Sequence, residues 1–117
     1  MRELAHETWS EYFDALSKEL TNAPVLIEIA EATGPPMPEA ERMALQTLTY
    51  DRGDDVFEVA VARVGPHPPG VLRHLVDHPQ RVAVDSQAML APMTISVDGR
   101  DGARTVIRIE RDADVSS

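Results

Sequence analysis

Residues 43–64 run MALQTLTYDRGDDVFEVAVARV. Two parts of this stretch, MALQTLTY and VFEVAVARV, alternate apolar and polar residues with a period of two, the spacing of a strand with one buried face. Between them DRGDD (51–55) supplies turn-forming residues, with Gly53 free to take a positive φ. Alternation, turn, alternation is the signature of a β-hairpin. A chain organised around such a hairpin builds an antiparallel sheet, because neighbouring strands reverse without a crossover.

The same pattern recurs outward from this centre. PVLIEIAEA (24–32) places Val25, Ile27 and Ile29 on one side of a strand. RVAVD (81–85) is a short strand carrying Val82 and Val84. PMTISVD and ARTVIRIER, joined by GRDG, form a second hairpin in which Met93, Ile95 and Val97 face Thr105, Ile107 and Ile109. Near the N-terminus, Trp9, Tyr12, Phe13, Leu16 and Leu20 fall at helical spacing on one stripe, opposite Glu7, Glu11, Asp14 and Lys18. Thr8 and Glu11 stand at capping-box spacing, Asn22 suits a left-handed exit, and Pro24 forbids continuation. TGPPMPEAE (33–41) reads as a proline-rich loop. The expected fold is therefore α+β, with one N-terminal helix packed on a curved antiparallel sheet of five or six strands. The alternative is a small β-barrel with the helix as a lid. Residues 1–111 are expected to form one domain, and 112–117 a disordered tail.

Composition bounds the function. The 117 residues include 11 basic and 20 acidic side chains, a net charge of −9, and no cysteine. A field of that sign repels phosphate, so neither nucleic acid nor an anionic membrane is an expected partner. Without cysteine there are no disulfides, thiolate metal sites or thiol nucleophiles. The first residues carry charges throughout and no apolar run, unlike a signal peptide, and a cytoplasmic location is the expectation.

The stretch GPHPPGVLRHLVDHP (65–79) holds three of the four histidines. His67, His74, Asp77 and His78 are the candidate metal ligands, since a borderline metal needs several imidazoles or carboxylates to converge. Pro79 pushes His78 off a helical path, and Val71, Leu72, Leu75 and Val76 read as the apolar side of a short helical turn at about 70–77. That arrangement leaves His74 and Asp77 toward water. The expectation is a proline-terminated turn with no metal and no cofactor. Elsewhere the six glycines are isolated, so no phosphate-cradling loop exists, and no serine sits in a nucleophile elbow. No catalytic motif is found.

The hairpin tip with Asp51, Arg52, Asp54 and Asp55 is the candidate interaction site. Leu26, Ala30, Ala60 and Ala62 form a mildly apolar second sheet face that a second copy of the chain would bury, so a homodimer is a candidate assembly. The protein is read as a non-enzymatic interaction or regulatory module. The alternative is a small-molecule or metal-binding domain built on the histidines.

WSEYFDALSKEL near the start, LQTLTYDRGDDVFEVAV in the middle, HLVDHPQRVAVD and the closing VIRIER together resemble a family of small bacterial proteins of unknown function. The resemblance spans about residues 3 to 111 and leaves out the proline segment 33–41. It implies that Tyr50, Asp51, Asp54, Asp55 and the Asp77–Pro79 segment belong to one fold. It implies no activity, ligand or catalytic residue.

Overall fold

The computed structural model describes residues 2–31, 34–63, 70–86 and 93–110, with only the backbone described at 38–42 and 86. The expected tail 112–117 and His67 lie outside the described residues. The elements run β1 (Arg2–Glu3), a 3₁₀ turn (His6–Thr8), α1 (Trp9–Glu19), β2 (Pro24–Ala30), β3 (Met37–Asp51), β4 (Val56–Arg63), β5 (Val71–Asp77), β6 (Arg81–Ser86), β7 (Met93–Asp98) and β8 (Arg104–Ile109). The strands form one sheet in the order β1-β6-β7-β8-β2-β3-β4-β5, antiparallel at every pairing. The α+β reading holds, but the sheet has eight strands among the described residues rather than five or six. Its end strands, β1 and β5, do not pair with each other, so the sheet is open and the barrel alternative is not adopted.

The main correction concerns 70–77, where a helical turn was expected and β5 stands. Seven consecutive rungs join β5 to β4, from Val56↔Asp77 to Ala62↔Val71. Val71, Leu72, Leu75 and Val76 imitate helical spacing because a strand divides them between its faces. Leu72, His74 and Val76 point inward, while Val71, Arg73, Leu75 and Asp77 point out and are exposed. The non-local ladder overrides the local periodicity. β1 is a two-residue strand with no pattern to read.

β3 departs from its expected form twice. It begins at Met37, inside the segment read as a loop. Its rungs with β4 end at Met43↔Arg63, so among the described residues the earlier ones pair only with β2, the setting in which a strand tolerates Pro38. A register shift between Leu45 and Thr47 adds one residue, which reverses the alternation and brings Leu45, Leu48 and Tyr50 to the same buried side.

At that bulge α1 is stitched to the sheet. Asn22 N–H donates to Leu45 O at 2.7 Å, Leu45 N–H to Ala23 O at 2.9 Å, and the Ser17 hydroxyl to Leu48 O at 3.1 Å. Asn22 takes φ 71°, as its place after the helix required. Thr8 does precede α1, but its hydroxyl donates to Ala5 O at 2.7 Å instead of capping the helix. Trp9, Phe13, Leu16 and Leu20 are buried, and the Phe13 and Phe57 rings lie 5.0 Å apart. The second hairpin has the expected register, Met93↔Ile109, Ile95↔Ile107 and Val97↔Thr105.

The sheet curls until the inner side of β5 reaches β8. His74 Nε2 lies 3.0 Å from Thr105 Oγ1. Gly99, at the β7–β8 turn, lies so close to β5 that a Cβ there would be 3.3 Å from Val76 Cγ1.

Candidate functional site

β5 is the long free edge of this sheet. Among the described residues no strand pairs with its outer side. Arg63 N–H donates to Gly70 O at one end and His78 N–H to Asp55 O at the other. Antiparallel pairing alternates between those two bonds, so Leu72, His74 and Val76 turn their amides toward β4, while Val71, Arg73, Leu75 and Asp77 turn theirs outward. Pairing with β4 shows no register shift, unlike that of β2 with β3 or β3 with β4. The edge therefore lacks the bulge that commonly blunts such strands. Val71 is 63% and Leu75 58% exposed. Arg73 lies between them, its Nε 3.5 Å from Glu58 Oε2.

An open cleft of about 660 Å³ borders this strand. His74, Leu75, Val76, Asp77 and His78 form one wall; Ile29, Glu31, Arg100, Asp101 and Thr105 contribute to the other. Among the described residues its ionisable lining is mixed, Glu31, Asp77 and Asp101 with Arg100, His74 and His78.

His78 joins the cleft to a chain of hydrogen bonds. Its Nδ1 lies 3.0 Å from Asp55 Oδ2, the Tyr50 hydroxyl donates to Asp55 Oδ1 at 2.6 Å, and His6 Nε2 lies 3.0 Å from the Tyr50 oxygen. Because the hydroxyl gives its proton to Asp55, it accepts from His6, which carries its proton on Nε2. Burial first, then the Asp55 hydrogen bond and charge, push the Tyr50 pKa up to about 12. The Tyr50 hydrogen bond, followed by that from His78, holds the Asp55 carboxyl below its ordinary value. Both shifts keep the pair in one protonation state, Tyr neutral and Asp charged, through the neutral range. The chain ties the end of β3, the start of β4, the end of β5 and the N-terminal turn together. Trp9 closes it from the core side, its ring 4.4 Å from His6 and 5.1 Å from Tyr50.

The histidines expected at the site are thus separated by role. His74 turns inward toward Thr105, not toward water, because β5 is a strand and position 74 lies on its inner face. Asp77 is exposed on the outer face, and His78 is held by Asp55. Among the described residues no group of three or more His, Asp or Glu side chains is arranged to hold a metal. At the hairpin tip, Asp51 Oδ1 accepts from the Gly53 and Asp54 amides at 2.9 and 3.2 Å, and Arg52 donates to Glu7 O at 3.1 Å. The positive φ expected at Gly53 falls instead on Asp55, at 56°. The turn wraps around the Asp51 carboxylate, so its left-handed step comes later, at a residue type that tolerates it. Sequence reasoning missed Tyr50 and His6. A core-facing tyrosine needs a partner for its hydroxyl, which was the available signal.

A family model described as a family of unknown function, DUF5335, matches residues 1–117, the full length of this chain. The chain belongs to the DUF5335 family. It is 33% identical over 104 residues to an uncharacterized protein of Aquifex aeolicus (strain VF5), covering 89% of this chain and 86% of that protein. The family resemblance read from the sequence is therefore correct. No solved structure matches the chain. Among the described residues, no helix of this DUF5335 chain is long and apolar enough to cross a membrane.

Proposed function

We propose that this DUF5335 protein is a small non-enzymatic interaction module, working in the cytoplasm, that docks along the free edge of β5. The observation that carries the reading is that edge: seven residues with no bulge, outward amides on alternate positions, and exposed Val71 and Leu75 beside them. An edge strand without a bulge and with exposed apolar side chains adds another strand readily, with main-chain bonds for affinity and alternate side chains for selectivity. The Asp55 ties to Tyr50 and His78 support the reading by fixing one end of β5 against the β3–β4 turn.

The test is the mass of the chain at its native level in host lysate, followed by size exclusion. Wild type is expected to elute heavier than a monomer. Leu75→Lys, which places a charge on the edge, is expected to return it to monomer elution with an unchanged melting temperature. Monomer elution of the wild type would end this reading.

A second reading draws on the cleft, whose volume and whose His74, His78 and Arg100 suit a small polar ligand. For its metal branch, zinc in excess should raise the melting temperature of the purified protein. No rise would remove that branch.

A further inference from the structure

We infer that the strand added to β5 is the β5 of a second copy, related by a two-fold axis through Leu75. This rests on the reading of β5 as the docking edge and names its occupant. In a symmetric antiparallel pair, position i of one strand faces position j of the other with a constant sum, so few registers exist. The outward amides belong to Val71, Arg73, Leu75 and Asp77, and a partner strand must bring its own outward positions opposite them.

Side-chain chemistry then selects among the axes. An axis at Arg73 sets that guanidinium against its own copy. An axis at His74 sets Arg73 opposite a leucine and Val71 opposite an aspartate, with the two Arg73 side chains diagonal neighbours. An axis at Leu75 sets Leu75 on Leu75 and Arg73 on Asp77 twice, with no like charges facing, and leaves Val71 at the margin opposite Pro79, beyond the end of the partner strand. Opposite charges facing across strands are favourable and like charges are not. The Leu75 axis also prolongs an ion-pair ladder already present on the outer face, since Arg73 touches Glu58 on its other side. It covers Leu75, the most central of the exposed large apolar residues on β5. Pro79, two residues past the end of β5, ends the ladder on that side. The eight-stranded sheet becomes a continuous sheet of two copies.

The experiment uses the purified full chain and its variants, by light scattering after size exclusion and by cross-linking. Wild type is expected at twice the monomer mass at micromolar concentration. Arg73→Asp or Asp77→Arg alone should weaken the dimer by about tenfold or more, because each turns both facing pairs repulsive. The R73D/D77R double variant should recover to within about threefold of wild type, since it restores both pairs with signs exchanged. Because the chain has no cysteine, Leu75→Cys gives a clean cross-link. Facing, hydrogen-bonded positions sit about 5.5 Å apart at Cα, within disulfide reach, so oxidation should yield a covalent dimer. Thr47→Cys, two strands inward on the same face, should not. Melting curves of each variant separate loss of pairing from loss of fold.

A monomer at high micromolar concentration overturns the inference, as does a dimer that Leu75→Cys fails to lock or a double variant no better than the singles. If the purified chain is a monomer while the native chain elutes heavy, the second copy is the wrong occupant and the docking edge stands. If both are monomers, the docking edge fails as well.

Discussion

Tyr50 shows how much one side chain can bind together. Its ring belongs to the core and its hydroxyl to a surface chain running from His6 to His78. Tyr50→Phe keeps the ring and removes the bond to a charged acceptor, so it should cost about 1–2 kcal/mol, measured by urea denaturation. The pH dependence of that cost follows from the two shifts. Tyr50 is raised from 10.0 to about 12 on folding, so its contribution is complete below pH 10 and lost as pH rises from there through about 12. Asp55 is lowered from 3.8, so its contribution is complete above that value and lost as pH falls through its lower folded value. The stability difference between wild type and Tyr50→Phe should therefore be flat from about pH 5 to 9 and vanish at high pH. A difference that collapses near neutrality would contradict this assignment. Little of this was legible beforehand. DRGDD announced a turn, but only the fold puts its last aspartate between a tyrosine five residues back and a histidine 23 residues on.

At the scale of the element, local patterns were read correctly where apolar residues keep mainly to one face and polar ones to the other. α1 and the β7–β8 hairpin meet that condition, and their stripe and register were visible in the residues. β5 does not meet it, because apolar residues stand on both its faces, and two interleaved strand faces counterfeit a helical stripe. β3 hid its bulge for a related reason: one added residue lets MALQTLTY alternate on paper while Leu45 and Leu48 turn the same way. Two substitutions test the packing of these elements. Phe13→Ala removes the ring that α1 packs on Phe57 and should cost about 3–5 kcal/mol in chemical denaturation. Gly99→Ala adds a Cβ at 3.0 Å from Asp101 Oδ1 and 3.3 Å from Val76 Cγ1, wedging the β7–β8 turn from β5. It should cost about 1–3 kcal/mol, the usual penalty of overpacking. An unchanged midpoint for Gly99→Ala would mean that β5 and the turn are not in contact in solution.

The whole molecule is an open sheet closed at one end of its strand order by almost nothing and at the other by nothing described. β1 is two residues long, too short to template another strand, whereas β5 offers seven. The core explains why the sheet curls, since α1 and the inner faces of β2 to β8 share one buried cluster. It does not explain why Val71 and Leu75 stand outside it. A docking role for β5 supplies the reason, and that role depends on β5 being a strand with one free side. Amide hydrogen exchange tests this most directly, measured residue by residue on Leu75→Lys to keep the edge unoccupied. Slow exchange at Leu72, His74 and Val76, alternating with fast exchange at Val71, Arg73 and Asp77, is the expected result, with Arg73 and Asp77 slowing in wild type. Uniform protection across 71–77 in that variant, or uniform exposure, would contradict it.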